Sequence, residues 1–442
     1  MKFGLVGYPL GHSMSGFIHK ELLAAYGDES SYQMIECPTL DRDCINRLKE
    51  LDGFNVTIPY KNKIIPYLDL LDIKAQCFQS VNTVGVNQKT KGYNTDADGF
   101  LDSVVKLNKD LSGDILVLGA GGVARMVIYE SVSRGARVFV AVRKKSLDKV
   151  EKLKKEIEEK LKNSQITIID INNIKGHFDL VINCTPVGMY PDVDLSPVGE
   201  DVLKNCEAAI DLVYNPQNTK FLKLAKKLNK PCMGGMYMLV KQAAKAQEIW
   251  TDRAFGEYLL ERIEDKANIF MRRNFQRANV AFVGFMASGK TTAAKALAKE
   301  LGLEFIDMDE EIKKRLNMTI PEIFSQKGES FFREEEKRLI NELFPKKDIV
   351  ISTGGGAVMD EENRKLLRQS SIIVFMDTPF EICWERIKKE ENRPLAEGAG
   401  REEIQELFQK RYEVYRQSAD ITIDGTGELE EQIKELSGYF LL

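Results

Sequence analysis

Several features that would place a protein outside the cell or in a membrane are missing from this sequence. No stretch of about 18 apolar residues occurs, so we expect no transmembrane helix. The first residues lack the apolar core of a signal peptide. The seven cysteines include no CxxC pair, and we therefore expect neither a disulfide framework nor a structural zinc site. These absences predict a reduced, cytoplasmic protein.

A strong excess of charge of either sign is missing too. Lys and Arg total 63 against 67 Asp and Glu, which gives a formal net charge of −4. The chain as a whole therefore offers no electrostatic reason to bind nucleic acid or an anionic membrane. We expect no nucleic-acid partner and no membrane partner, and basic clusters have to be interpreted locally.

What is present indicates a large α/β protein. At about 150 residues per domain, 442 residues suggest about three domains. Short apolar runs rich in Val and Ile, such as 114–119, 279–284 and 371–377, alternate with longer helical patterns. Strands that are apolar on both faces and alternate with helices predict parallel sheets covered on both sides.

A glycine fingerprint follows the apolar run at 114–118. Gly119, Gly121 and Ala124 match G-x-G-x-x-[G/A] between a predicted strand and a predicted helix. In a Rossmann dinucleotide domain this turn and the helix N-terminus after it bind pyrophosphate. The predicted cofactor-binding residues of this turn are Gly119, Ala120, Gly121, Gly122, Val123 and Ala124.

The end of the next predicted strand distinguishes NADP from NAD. An NAD site usually has an acidic residue there, to bind the ribose 2′-hydroxyl. This chain has Arg143, Lys144 and Lys145 instead, and basic groups fit a 2′-phosphate. We predict NADP(H) as the cofactor; the alternative is a solvated basic loop.

A second phosphate-binding motif begins at Gly284. Gly284, Gly289, Lys290 and Thr291 match G-x-x-x-x-G-K-[ST] between a strand and a helix, which predicts an ATP or GTP site with Lys290 near the β/γ-phosphates and Thr291 on Mg²⁺. Further predicted nucleotide contacts are Ala287, Ser288 and Thr292. Asp307 and Asp309 follow at the end of a short predicted strand, where they would point the same way. One could organise Mg²⁺ and the other bind substrate hydroxyls, although an N-cap with acidic first-turn residues explains Asp309 equally well.

The chain from residue 1 to about 265 resembles shikimate dehydrogenase. The matching segments, besides the glycine fingerprint, are GHSMS (11–15), NVTIPYK (55–61), VNT (81–83), GYNTD (92–96), NCTPVGM (183–189), DLVYNP (211–216) and GMYMLVKQA (235–243). The resemblance implies that Lys61 and Asp96 form the catalytic pair, since an ammonium can stabilise or protonate an alkoxide. It also implies substrate contacts from these two residues and from Ser13, Ser15, Thr57, Asn82, Tyr214 and Gln242.

The chain from about residue 279 to the end resembles shikimate kinase. The matching segments, besides the phosphate loop, are DMD (307–309), GESFFREEE (328–336), STGGGAV (352–358) and NRPL (392–395). The resemblance implies catalytic roles for Lys290 and Asp307, Mg²⁺ held near Thr291 and Asp307, and a nucleotide contact from Arg393. It implies that the shikimate contacts are Asp309, Arg333, Gly355, Gly356 and Arg411. Guanidinium groups suit a carboxylate, but Arg333 is also placed to pair with Glu329 or Glu336 on one helix.

Together the resemblances imply an α/β fold with three parts: a three-layer substrate domain, a Rossmann domain, and a P-loop parallel-sheet domain like that of nucleoside monophosphate kinases. The expected limits are 1–101 for the substrate domain (completed by helices in 236–265), 102–235 for the NADP domain, 266–278 for a linker and 279–442 for the kinase domain. The expected function is NADPH-dependent reduction of 3-dehydroshikimate followed by ATP-dependent phosphorylation of shikimate. Alternatives are an NAD-preferring quinate/shikimate dehydrogenase fused to the kinase, and a catalytically dead ligand sensor. The sequence leaves the oligomeric state open.

Overall fold

A computed structural model describes residues 1–11, 13–389 and 400–441. The chain divides into two compact units, Met1–Asn268 and Ile269–Leu442. Within the described ranges, no helix is both long and apolar enough to cross a membrane.

The first unit begins with a six-stranded mixed sheet. Its strands are β1 (Lys2–Gly7), β2 (Ser31–Glu36), β3 (Gly53–Val56), β4 (Leu70–Leu71), β5 (Thr83–Asn87) and β6 (Lys89–Tyr93), in the order β2-β1-β3-β5-β6-β4. The helices of this region are α1 (Ser15–Ala24), α2 (Arg42–Lys49), α3 (Ile73–Phe78) and α4 (Asp96–Lys106). Strands β1, β2 and β3 are parallel, whereas β5 runs antiparallel to both β3 and β6. Because β5 and β6 pair as an antiparallel hairpin with Thr83 opposite Tyr93, the segments before Thr83 and after Tyr93 lie at the same end of the sheet.

A disulfide joins Cys37, directly after β2, to Cys44 in the first turn of α2. The expectation of no disulfide framework is therefore wrong at this pair. The two cysteines are seven positions apart, so a search for CxxC cannot find them. They meet because the chain turns back between β2 and α2, and both side chains lie in the core on this face of the sheet.

The second sheet of the first unit is parallel throughout. Its strands are β7 (Asp114–Leu118), β8 (Arg137–Val142), β9 (Gln165–Asp170), β10 (Phe178–Asn183), β11 (Cys206–Asp211) and β12 (Cys232–Met233), in the order β12-β11-β10-β7-β8-β9. The helices are α5 (Gly122–Ser133), α6 (Leu147–Lys160), α7 (Glu200–Lys204) and α8 (Lys220–Lys227). Read from β9, this is the 3-2-1-4-5-6 order of a dinucleotide-binding fold, whose ligand crevice lies where the order reverses, between β7 and β10.

The chain then returns to the first sheet through α9 (Gly235–Thr251), which packs on α1 and α4. Gly99 permits the contact with α4, because a Cβ atom there would collide with the carbonyl oxygen of Met238. The next helix, α10, is continuous over Glu257–Asn274. Most of the segment predicted as a linker, 266–278, is thus helical. The division between the two units falls inside this helix.

The second unit has a five-stranded parallel sheet. Its strands are β13 (Asn279–Val283), β14 (Glu304–Asp307), β15 (Ile349–Ser352), β16 (Ser371–Asp377) and β17 (Ile421–Asp424), in the order β14-β15-β13-β16-β17. The helices are α11 (Lys290–Leu301), α12 (Met308–Leu316), α13 (Ile320–Leu343), α14 (Glu361–Ser370), α15 (Phe380–Ile387), α16 (Arg401–Ser418) and α17 (Leu429–Phe440). Gly328, at φ +84°, interrupts the helical backbone of α13. Parallel strands end at one edge of the sheet, and the phosphate loop follows the central strand β13 at that edge.

Candidate active sites

The structure places Lys61 and Asp96 in direct contact. The Lys61 Nζ lies 2.6 Å from Oδ2 of Asp96, and both side chains stay partly exposed, at 28% and 17%. Asp96 is the first residue of α4, where the helix dipole favours a carboxylate. The pair therefore holds an ammonium group at a position that solvent, and a small ligand, can reach.

Asn82 fixes the other oxygen of this carboxylate. Its side-chain amide donates to Oδ1 of Asp96 at 2.9 Å and to the Gln242 Oε1 at 3.2 Å. The backbone N–H of Thr95 donates to the Asn82 Oδ1 at 2.7 Å, and Asn82 is 3% exposed. Since both Asp96 oxygens accept hydrogen bonds, the carboxylate is held in one orientation. The Lys61 ammonium uses one hydrogen for Asp96, and its other hydrogens can bond to a ligand.

The other predicted substrate residues differ in placement. Thr57 follows β3 directly, and Ser15 begins α1, with its backbone N–H donating to Oγ of Ser13. Tyr214 instead lines a separate cavity of about 230 Å³ with the loop before α9. Burial raises the pKa of Tyr214. The structure therefore links Gln242 to the Lys61–Asp96 pair through Asn82 but does not place Tyr214 in contact with the pair.

The glycine fingerprint forms the turn between β7 and α5. Gly119 has φ +111°, and a Cβ atom on it would collide with Thr185, so glycine is required at this close approach. Gly121 is the N-cap of α5, and Gly122 begins the helix, with open space in front of both. Ala124 is fully buried in the core between helix and sheet. Ala120 and Val123, at the same turn, remain partly exposed.

The basic residues Arg143, Lys144 and Lys145 follow β8 and are all exposed. Within the described part of the chain, none of the three has an ion-pair or hydrogen-bond partner from its side chain. The strands β7 and β8 are neighbours, so these cations lie beside the turn that would hold a pyrophosphate.

The phosphate loop of the second unit lines a cavity of about 370 Å³ that includes Ala287, Ser288, Gly289, Lys290, Thr291 and Thr292. Gly284 and Gly289 both have positive φ, at +152° and +92°, a backbone conformation that favours glycine. Lys290 Nζ donates to the carbonyl of Phe285 at 3.3 Å, which curls the lysine back over the loop. The loop therefore presents backbone amides and one ammonium to an anion.

Thr291 and Asp307 meet at the base of this loop. The Thr291 hydroxyl donates to Asp307 Oδ2 at 3.0 Å and contacts the Ser352 Oγ at 2.9 Å. No group of three or more His, Cys, Asp or Glu residues is placed to hold a metal in the described ranges. One carboxylate and one hydroxyl nevertheless fit Mg²⁺, which keeps several waters and takes further oxygens from substrate phosphates.

The prediction that Asp307 and Asp309 lie together on a strand is wrong. Strand β14 ends at Asp307, which is the N-cap of α12 and accepts a hydrogen bond from the Glu310 backbone N–H, while Asp309 is already in the helix. The alternative, an N-cap with acidic first-turn residues, is confirmed, with Asp307 as the N-cap and Asp309 in the first turn of α12. Both residues still line one cavity, because the strand end and the first helical turn border it together.

That second cavity, of about 420 Å³, holds the predicted shikimate residues Asp309, Arg333, Gly355, Gly356 and Arg411. Arg333 donates to Glu329 at 2.9 Å and to Glu336 at 2.5 Å, so both alternative ion pairs form. A Cβ atom on Gly356 would collide with the Arg333 guanidinium. Arg411 is 7% exposed, and the adjacent Tyr415 donates its hydroxyl proton to the carbonyl of Gly355. Two guanidinium groups thus line a pocket to which the backbone of Gly355 and Gly356 contributes part of the wall.

Sequence reasoning missed three residues that support these sites. The sequence indicates Glu336 only as one of two alternative partners of Arg333, yet it is 0% exposed and pairs with that guanidinium. Burial raises the pKa of Glu336 to about 7, although Arg333 opposes the rise. Ser352 and Arg386 border the phosphate loop. Ser352 begins the STGGGAV segment but has no predicted role, and no local pattern marks Arg386. The predicted nucleotide contact Arg393 lies outside the described residues.

Comparison with known proteins divides the chain in the same way. A family model for the shikimate dehydrogenase substrate binding domain matches residues 5–84, and a shikimate kinase model matches residues 286–437. The shikimate dehydrogenase (NADP(+)) of Clostridium beijerinckii is 38% identical over 263 residues, which cover 57% of this chain and 92% of that protein.

Two solved structures have folds similar to the first unit. Shikimate 5-dehydrogenase from Thermus thermophilus, in complex with NADP(H) and shikimate, is 30% identical with a TM-score of 0.54 and covers 60% of this chain and 99% of its own. The enzyme from Listeria monocytogenes, in complex with shikimate and NAD, is 27% identical with a TM-score of 0.55 and covers 59% of this chain and 95% of its own. The chain therefore belongs to the shikimate dehydrogenase family, carries a shikimate kinase domain in its second unit, and is a bifunctional shikimate-pathway enzyme.

Proposed function

We propose that the first unit reduces 3-dehydroshikimate to shikimate with NADPH and that the second unit phosphorylates shikimate with ATP to give shikimate 3-phosphate. The observation that carries the proposal is that each unit contains a complete set of reacting groups. These are the Lys61–Asp96 pair in one unit and the phosphate loop beside an arginine-lined cavity in the other. The proposed parts are residues 1–101 with 236–265 for substrate, 102–235 for NADP and 279–442 for the kinase.

In the reduction, NADPH supplies the hydride when it is bound at the β7–α5 turn. The substrate ketone becomes an alkoxide, and the Lys61 ammonium stabilises this charge and gives it a proton. Asp96 holds the ammonium at 2.6 Å, Asn82 donates to Asp96 and so orients it, and Gln242 accepts a hydrogen bond from Asn82. Asn82 and Gln242 are also proposed to contact the substrate. Ser13, Ser15, Thr57 and Tyr214 are proposed to complete the contacts to substrate.

The proposed preference for NADPH over NADH depends on Arg143, Lys144 and Lys145. Three exposed cations without protein partners can neutralise a 2′-phosphate, and an acidic residue for a free 2′-hydroxyl is absent at the end of β8. A dehydrogenase of this family has been solved with NAD, so the two cofactors have to be compared directly.

In the phosphoryl transfer, Lys290 and the loop amides hold the phosphates of ATP, and Thr291 and Asp307 would hold Mg²⁺. Arg333 and Arg411 bind the shikimate carboxylate, and Asp309 with Gly355 and Gly356 positions the ring. Lys290 and Thr291 line both the phosphate-loop cavity and the cavity that holds Arg333 and Arg411. These two residues form a wall that both cavities share. They support phosphoryl transfer beside Lys290 and Thr291, because the terminal phosphate of ATP and the acceptor hydroxyl would meet there.

The test supplies the purified protein with 3-dehydroshikimate, NADPH, ATP and Mg²⁺ and measures NADPH loss and shikimate 3-phosphate formation. We expect both, with NADPH used in preference to NADH and shikimate in preference to quinate. Lys61→Ala should lower reduction by about 10²–10⁴-fold, the usual contribution of a general acid, and leave phosphorylation of added shikimate intact. Lys290→Ala should do the reverse, with a loss of about 10²–10³-fold.

Matched controls are Lys63→Ala and Lys295→Ala, which remove exposed lysines near each site and should change neither rate. Preference for NADH or quinate would favour the quinate/shikimate alternative. Binding of both substrates without turnover of either would favour a ligand sensor. Loss of both activities in each single variant would contradict the assignment of one activity to each unit.

A further inference from the structure

The cavity at the phosphate loop extends across the carboxyl edge of the sheet. One end is formed by the loop after β13, and the other by Gly425, Gly427, Leu429 and Gln432, which follow β17. Strands β13 and β17 lie two positions apart, about 10 Å, with β16 between them. If the phosphates of ATP bind at Lys290, as the proposed function requires, the nucleoside extends toward the β17 loop.

The β17 loop, residues 425–428, is fixed to the phosphate loop. The Thr378 hydroxyl donates to the carbonyl of Ser288 at 2.9 Å, and a Cβ atom on Gly425 would collide with that same hydroxyl oxygen. The backbone N–H of Gly425 donates to the carbonyl of Asp377 at 2.8 Å. Thr378 therefore connects the two loops, and these contacts set the position of the β17 loop relative to the phosphate loop.

Gln432 is oriented by this loop. Its Nε2 donates to the carbonyls of Asp424 at 2.9 Å and Gly427 at 3.0 Å, which uses both amide hydrogens. These two acceptors also settle which end of the amide is nitrogen, because an oxygen there would face two carbonyls. Among the described residues, nothing donates a hydrogen bond to its Oε1, and this oxygen is not sealed from solvent. Gln432 thus has only an acceptor left for a ligand.

We propose that Gln432 selects the nucleotide base of the kinase reaction by accepting a hydrogen bond from the 6-amino group of adenine. A 6-oxo purine would set a carbonyl oxygen against the fixed Oε1, and the amide cannot flip to donate without losing both bonds to the loop. The residue distinguishes the edges of the base and touches no reacting atom. It is therefore a specificity residue and not a catalytic one.

The test is a double comparison, analogous to a double-mutant cycle, of two nucleotides with two variants of the protein. ATP and purine riboside triphosphate, which lacks the 6-amino group, are compared as phosphoryl donors to saturating shikimate, with the wild-type chain and with Gln432→Met. The wild-type chain should prefer ATP by about three- to tenfold in kcat/KM, the value of one neutral hydrogen bond. In Gln432→Met this preference should disappear. ITP, a 6-oxo purine, should be a poorer donor than purine riboside triphosphate for the wild-type chain only.

Thr426→Ala is the matched control for damage to the loop. Thr426 donates its hydroxyl proton to Asp424 in the same turn at 2.7 Å and does not line the cavity. Its loss should affect both nucleotides equally and preserve their ratio. A wild-type chain that uses ATP and purine riboside triphosphate equally well would overturn the inference even if Gln432→Met failed to fold. A wild-type chain that phosphorylates shikimate with neither would instead refute the proposed kinase function.

Discussion

The buried carboxylate of Glu336 pairs with Arg333. When it is ionised, we expect it to lower the free energy of unfolding of the kinase domain. This carboxyl group is 0% exposed, and its pKa rises from an ordinary 4.5 to about 7, first because of burial and despite the nearby Arg333. A raised carboxyl pKa means that the folded chain favours the protonated form. Its ionisation therefore costs folding free energy as the pH rises from about 4.5 through 7, and the cost is absent in acid.

The size of the effect follows from the pKa. A tenfold change in an acid constant is worth about 1.4 kcal/mol, so a group moved from 4.5 to about 7 costs about 3 kcal/mol at pH 8. Glu336→Gln imitates the neutral form and keeps an oxygen for Arg333. We expect the variant to match the parent near pH 4.5 and to exceed it by up to about 3 kcal/mol at pH 8. Because Arg333 loses its charged anchor, the KM for shikimate should rise.

The two tryptophans of the chain make the measurement specific. Trp250 lies in the first unit and Trp384 in the second, so Trp250→Phe leaves a fluorescence signal from the kinase domain alone. Urea unfolding of this parent, with and without Glu336→Gln, gives the difference in free energy of unfolding at each pH.

Glu335→Gln is the control, because Glu335 is the neighbouring residue and pairs with Arg338. It should give no stability gain that grows with pH. A Glu336→Gln variant that is less stable at pH 8, or whose effect is the same at pH 5 and 8, would refute the reasoning.

Three further predictions concern ligand binding. Arg143→Ala should raise the KM for NADPH by about tenfold, the lower range for a hydrogen bond to a charged group, and leave the KM for NADH unchanged; equal effects on both would argue against a 2′-phosphate contact. Gly356→Ala should displace the Arg333 guanidinium, which the new Cβ atom would meet, and raise the KM for shikimate with little change in that for ATP, as two-substrate kinetics would reveal. Thr291→Val should raise the Mg²⁺ concentration needed for half-maximal phosphorylation while Thr291→Ser does not; identical Mg²⁺ curves for the two variants would exclude the hydroxyl as a ligand.

Local patterns predicted the two glycine turns correctly. A strand, a glycine turn and a helix are consecutive in the chain, so Gly119 and Gly284 could be placed from sequence alone, and both have the positive φ that the turn needs. The same holds for the α/β alternation and the parallel sheets. The exact end of β14 was harder to predict, because the strand passes directly into α12 and no turn residues mark the boundary. The sequence therefore predicts Asp307 and Asp309 on one element, whereas β14 ends at Asp307 and Asp309 lies in α12.

The sequence by itself determined the fold class, the order of the parts and the residue types at each site, since these depend on short-range periodicity and on motifs that are continuous in the chain. Only the tertiary structure decided which residues from other elements contact the residues of those motifs. The buried Glu336 faces Arg333 and the Gly354 backbone. Cys37 reaches Cys44 across a turn, and Gln432 keeps a single acceptor because two loop carbonyls take its hydrogens. These properties come from burial and from pairing between separate elements. Such contacts depend on where the backbone goes, which spacing along the sequence does not specify.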